Sequence, residues 1–375
     1  MNRRGKIKRI AVIISYVTQT IGTIIVISII GHFIIGSVIL INRSLFPQKE
    51  IISPVYNDYD RKIKVAYEQG ELNEGKTVNK PYYHWKGKEY KSEYVNINQY
   101  GRRKTIKSPV KDAKKVFIFG GSTTWGEGVP DEFTFPSLLQ KELGAGYDVY
   151  NYGEAGFNSV QELNLLLEEL AKGNIPDYVI FYDGINDGYA GVYSPGIPRG
   201  LESIDDVKNR GMICRLYELS NYSKLVEYVR NFFDGNNTNY SQWDLLIKDK
   251  IIDNSRNTIK YYIELTKQVK ALSQPYHFKC YFFWQPNLLT MSRKMMDYEK
   301  EIVQRESRIL IEARKQLYND AKEQLGRKQY EDVFFLGNIF DEVKGPIYID
   351  DAHVGPQGNE LVAQAIYSAI WNNQS

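Results

Sequence analysis

"KVFIFGGSTTWGEGV" (115–129) starts as an apolar run of strand length and breaks into glycines, a serine and two threonines. A strand ending in such a turn either cradles a phosphate or presents a nucleophile. The phosphate readings fail on the residues themselves. A P-loop needs G-x-x-x-x-G-K-[ST], and Gly121 and Gly126 have that spacing, but Glu127 stands where the lysine belongs. The dinucleotide fingerprint lacks its third glycine, because Asp131 follows Gly126 and Gly128 at that place. A G-x-S-x-G elbow would need glycine at Thr124. What remains is Ser122 at the C-terminal end of a strand, where open α/β sheets hold their ligands.

Four further apolar runs repeat the pattern: "YDVYNY" (147–152), "DYVIFY" (177–182), "FKCYFFW" (278–284) and "VFFLG" (333–337). Between them Val160, Leu163, Leu166, Leu167 and Leu170 share one helical face, as do Ile259, Tyr262, Ile263 and Thr266. "NELVAQAIYSAI" opens a last amphipathic helix after "GPQG". Strands alternating with helices predict a five-stranded parallel sheet covered on both sides, over residues 113–375. The stretch 190–257 is too long for a plain connection and reads as an insertion or lid.

A serine needs a base, and the chain has only four histidines. His32 lies in an apolar segment, His84 in the N-terminal extension, and His277 at the wrong end of the fourth strand. His353 follows the fifth strand, on the face that carries Ser122. Asp350, three residues earlier, can turn back and hold the imidazole in its productive tautomer. The alternative is a surface histidine beside a helix cap. Two more loops bear on the choice. "NYGEAGFNS" offers the bare backbone N–H of Gly156, and "DGINDG" the amide of Asn186, which together make the donors of an oxyanion hole. Trp125, Tyr189 and Tyr193 are candidates for lining the cleft, with core packing as their other reading. Asp183, Asp187 and Asp351 would need more ligands to hold a metal, so no metal is expected.

The N-terminus has its own logic. Arg3, Arg4, Lys6, Lys8 and Arg9 precede Ile10–Asn42, which contains no Asp, Glu, Lys or Arg. That is long enough for one membrane-spanning helix, and the cations put residues 1–9 in the cytoplasm. A cleaved signal peptide would have a far shorter apolar region, and no A-x-A cleavage site follows. The expectation is a single-pass anchor over 10–42, a polar linker or extension over 43–112, and a domain outside the membrane. The formal net charge is +3 for the chain but −2 beyond the tail, which offers nothing to nucleic acid. Cys214 and Cys280 are the only cysteines, and Cys280, within an apolar run, reads as a buried thiol.

The set Ser122, Gly156, Asn186, Asp350 and His353 resembles the SGNH, or GDSL-type, hydrolase superfamily. Its blocks here are "GGSTTWGEG", "NYGEAGFNS", "DGIND" and "DDAH". "YVNINQYGRRK" (94–104) is similar to the segment before the sheet in membrane-anchored members. Gly121 replaces the aspartate of the GDSL signature, so lipase-like specificity does not carry over. The resemblance implies a flavodoxin-like three-layer α/β/α sandwich and ester hydrolysis with no metal or cofactor. Ser122 would attack, His353 oriented by Asp350 would take the proton, and Ser122 N–H, Gly156 N–H and the Asn186 amide would receive the oxyanion. With the anchor, the expected substrate is an O-acylated cell-envelope glycan, deacetylated by a serine esterase. An O-acyltransferase using the same serine and a non-catalytic glycan-binding or assembly protein are the competing readings.

Overall fold

Each of the five apolar runs forms a strand. They are β1 (Lys114–Gly120), β2 (Tyr147–Gly153), β3 (Tyr178–Asp183), β4 (Lys279–Trp284) and β5 (Val333–Phe335). All pair in parallel, in the order β2-β1-β3-β4-β5. That is the flavodoxin order, whose switch point lies between β1 and β3. The computed structural model describes residues 53–106 with short gaps, 110–193, 248–326, 330–372 and eight single positions between 16 and 31. Residues 52–201 and 239–375 form one compact unit.

Alternation along the strands sends side chains to two separate cores. Phe117, Phe119, Val179, Phe181, Phe282 and Trp284 pack under the helices Ser159–Ala171, Ile251–Tyr276 and Arg308–Leu325. Val116, Ile118, Ile180, Tyr182 and Phe283 face the helices Phe135–Leu143 and Pro356–Ile370. Burial on both faces explains why the runs are continuously apolar. Local signals fix the helix starts: Asn158 closes a capping box with Gln161, and Pro356 opens the last helix directly after Gly355.

Of the two expectations for 43–112, linker or extension, the described residues from 53 on follow the second and fold against the sheet. A helix (Arg61–Glu68) and a hairpin (Thr77–Lys80 with His84–Gly87) occupy the extension, and Val55, Tyr56, Ile63, Ala66 and Leu72 bury themselves with Ile349. Its contacts converge on the loops that end the strands. Ser53 Oγ donates to Tyr348 O at 3.0 Å, and Tyr56 OH to Gly128 O at 2.7 Å. Trp85 Nε1 donates to Ala155 O at 2.9 Å, while the Glu154 carboxylate accepts from Gly87 N. Arg103 is fully buried and clamps the loop after Ser122, bonding Asp131 and the carbonyls of Trp125, Gly126 and Val129.

Among the described residues no helix is long and apolar enough to cross a membrane. The expected anchor over 10–42 lies outside the described residues apart from scattered helical positions, where the Thr20 and Thr23 hydroxyls donate to the carbonyls of Tyr16 and Gln19. Of the expected insertion, 194–247 lies outside them too, as does Cys214. Cys280 is buried in β4, where burial pushes its thiol up to about 11.

Candidate active site

The loops leaving β1, β2 and β3 and the loop after β5 meet at the C-terminal edge of the sheet. β1 ends at Gly120, and Ser122 opens a single helical turn (Ser122–Trp125). Its N–H, as the first of that turn, has no acceptor within it. Glycine is required just before the serine: a Cβ on Gly121 would collide with the Asn186 amide nitrogen. The close approach of the β1 and β3 loops depends on that missing atom.

His353 bridges Ser122 and Asp350. Its Nε2 lies 2.7 Å from Ser122 Oγ and its Nδ1 2.7 Å from Asp350 Oδ2. Asp350 is held locally, since Oδ1 accepts the backbone N–H groups of Ala352 and His353 at 2.8 and 2.7 Å. The neutral tautomer consistent with both ring contacts carries its proton on Nδ1 and accepts from the serine hydroxyl at Nε2. Burial opposes the Asp350 carboxylate, but the ring bond, the imidazole charge and the two amides outweigh it and hold the group below its usual range. Burial likewise opposes the imidazolium, and the bond and charge of Asp350, followed by Glu127 and Asp351, overcome it and push His353 up to about 9.

Asn186 sits in the first turn of the helix Ile185–Tyr193, with its Nδ2 donating to Phe157 O at 2.6 Å. An amide NH₂ has two hydrogens, so one remains for a ligand. Gly156 adopts φ +78°, a left-handed conformation that suits glycine, and is exposed beside the Trp85 ring. Ser122, Gly156 and Asn186 thus come from three successive strand ends.

Behind Asn186 lie three buried carboxyl groups, Glu162, Asp183 and Asp187. Tyr262 OH donates to Asp183 at 2.9 Å, and Ser159 Oγ to Asp187 at 2.5 Å. Burial, then the Asp183 charge and hydrogen bond, push Glu162 far above the usual range; burial and Asp187 push Asp183 up to about 8. Both groups are thus held toward their protonated forms. Among the described residues no group of three or more His, Cys, Asp or Glu is placed to hold a metal ion.

The aromatic candidates separate. Trp125 does not line the cleft: it is 6% exposed, packed with Val95 and Ile97, its ring 4.3 Å from the Arg103 guanidinium carbon. Three residues beyond Ser122 on a helical turn, its side chain passes to the side where the extension docks. Tyr189 is 37% exposed and lies against Arg314, which is paired with Asp351. The Tyr193 side chain lies outside the described residues. His277 caps the helix Ile251–Tyr276, just before β4 and at the opposite edge of the sheet, and His84 is in the hairpin.

Two site residues escaped the sequence reading. Trp85 lies beside Gly156, on a hairpin whose short strands carry no periodic signal. Glu127 places Oε2 3.4 Å from His353 Nε2. Read against a P-loop it registers only as an absent lysine, yet five residues after the serine the chain has turned back toward it.

No family model and no curated protein matches the chain. Among solved structures it is similar to an acetyl xylan esterase, AlAXEase, at 15% identity over 68% of this chain and 99% of that one, with a TM-score of 0.36. It is similar to a carbohydrate acetylesterase family member from Sinorhizobium meliloti at 15% identity, over 68% and 99% of the two chains, TM-score 0.37. An acetyl xylan esterase from Geobacillus stearothermophilus aligns at 17% identity, over 71% and 96%, TM-score 0.33.

Proposed function

We propose that the protein is a serine esterase of the SGNH type that removes a small acyl group, acetyl, from an O-acylated glycan of the cell envelope. The observation that carries this reading is the unbroken chain Ser122 Oγ–His353 Nε2 and His353 Nδ1–Asp350 Oδ2, each contact 2.7 Å. A base at hydrogen-bonding distance, oriented by a third group, is what a weak hydroxyl nucleophile requires.

Ser122 Oγ attacks the acyl carbon while its proton passes to His353 Nε2. The carbonyl oxygen, now negative, is received by the N–H groups of Ser122 and Gly156 and the free hydrogen of the Asn186 amide. As the tetrahedral species collapses, Nε2–H gives its proton to the departing sugar oxygen, leaving an acyl-serine. Water then attacks that ester, its proton going to Nε2; Ser122 leaves with the proton, and the acid is released. No step draws on a metal or cofactor.

The envelope location rests on the anchor read over 10–42, behind five cations. It would hold the domain beside the polymers it deacylates. The test is hydrolysis of p-nitrophenyl acetate, and acetate release from O-acetylated polysaccharide, by the full-length chain and its Ser122→Ala variant. Release that disappears in the variant is expected. A folded wild type with no Ser122-dependent release would overturn the proposal.

A further inference from the structure

Glu127 has no part in the steps above, yet it shares their central atom. Its Oε2 lies 3.4 Å from His353 Nε2, the nitrogen that also meets Ser122 Oγ. That nitrogen hands a proton to the departing alcohol and later takes one from water. The leaving oxygen must therefore pass within hydrogen-bonding reach of Nε2, which brings the rest of the alcohol within a few ångströms of the Glu127 carboxylate.

The carboxylate is held there by its backbone. Glu127 N donates to Ser122 O at 3.1 Å. On one side Arg103 grips the carbonyls of Trp125 and Gly126, and on the other it grips Val129 while Tyr56 holds Gly128. The side chain is 34% exposed, so it reaches solvent. Among the described residues the one cation in direct contact with it is His353 when protonated, and the Arg103 charge acts on it from farther away. Arg103 is engaged by Asp131 and those carbonyls, and Arg314 is paired with Asp351. Asp350, Asp351 and Glu306 add negative charge around the same histidine loop.

We infer that Glu127 determines specificity on the leaving-group side, selecting neutral or cationic hydroxyl-bearing alcohols and rejecting anionic ones. The inference rests on the acyl-serine reading. An acidic group on the alcohol is repelled across a short, partly desolvated distance, whereas a hydroxyl vicinal to the departing oxygen can donate to the carboxylate. The favoured glycan is therefore a neutral or amino sugar, and uronate or phosphate substituents beside the ester are disfavoured.

The test compares two acetyl esters that differ in charge only on the alcohol side: para-acetoxybenzoate, anionic at neutral pH, and its methyl ester. Wild type, Ser122→Ala and Glu127→Gln are assayed as full-length chains. Wild type should prefer the neutral ester, and Glu127→Gln should reduce that preference about five- to tenfold. A merely structural role would slow both esters alike and leave the ratio intact. If the variant folds poorly, wild type decides: added salt should narrow its preference, because the carboxylate is partly exposed. An unchanged ratio in Glu127→Gln, or a wild-type preference indifferent to salt, overturns the inference while Ser122-dependent turnover stands. Absence of that turnover would sink the esterase reading as well.

Discussion

The two walls of the cleft are built from opposite materials. On one, Ser122, His353, Asp350 and Glu127 place an imidazole among carboxylates, with direct contacts of 2.7 to 3.4 Å. On the other, Gly156 and Asn186 present neutral donors, and the acids behind them are buried and held toward their protonated forms. The difference follows the charge each wall must handle. On the proposed mechanism a positive imidazolium forms on the first, and its carboxylate neighbours stabilise it. On the same mechanism a negative oxygen forms against the second, where ionised carboxylates would repel it, and burial holds them toward their protonated forms. A cleft of this kind needs charge on one side and its suppression on the other.

The comparison breaks most severely if the first wall loses its charge. Asp350→Asn keeps the shape but removes the carboxylate and favours the wrong imidazole tautomer. The kcat for p-nitrophenyl acetate should fall on the order of 10⁴-fold. A loss below tenfold would mean that Asp350 does not orient the base. On the second wall Asn186→Ala removes one neutral donor, and kcat should fall roughly 10²–10³-fold with little change in KM. An effect confined to KM would make Asn186 a binding residue instead.

A smaller effect sharpens the contrast through pH. His353 acts as a base only when unprotonated, and its surroundings push it up to about 9. The rate under kcat/KM conditions should therefore climb across neutral pH and level off near pH 9. Asp350 is the larger cause and Glu127 a lesser one, so Glu127→Gln should move the limb to lower pH without abolishing it. A limb that stays in place would show that the 3.4 Å contact does not load the imidazole.

How far these walls could be read from the sequence depends on how each is made. The five strands are legible because parallel strands buried on both faces become continuous apolar runs such as "VFIF" and "YVIF". Ser122, Asp350 and His353 stood out because the chemistry needs a histidine and the chain offers four. The stretch 43–112 could not be resolved between linker and folded extension because its buried residues, Val55, Tyr56 and Arg103, are scattered through a polar stretch and act one at a time. Arg103 looks like a surface cation in "YGRRK", and only the fold shows the carbonyls that receive it. The acids Glu162, Asp183 and Asp187 lie on three elements, so their meeting depends on packing that no local pattern encodes. For Trp125 the core-packing reading matches its burial, since adjacency to Ser122 says nothing about which side of the turn a ring leaves.

The smallest effect bears on stability and reaches the second wall directly. Glu162 and Asp183 are both held toward their protonated forms in the folded protein, while in the unfolded chain both ionise near pH 4. Their folded values are raised, so stability is full below the unfolded range and declines as pH rises from about 4 toward 8, where Asp183 itself ionises. Glu162→Gln keeps the size of the side chain and removes one of the two acids that must ionise as pH rises. Between pH 5 and pH 8 the variant should lose less stability than wild type, by on the order of 1–3 kcal/mol. Urea unfolding of both full-length chains at the two pH values measures it. Parallel losses would mean that the acids behind Asn186 are already ionised, and the neutral wall would then need another explanation.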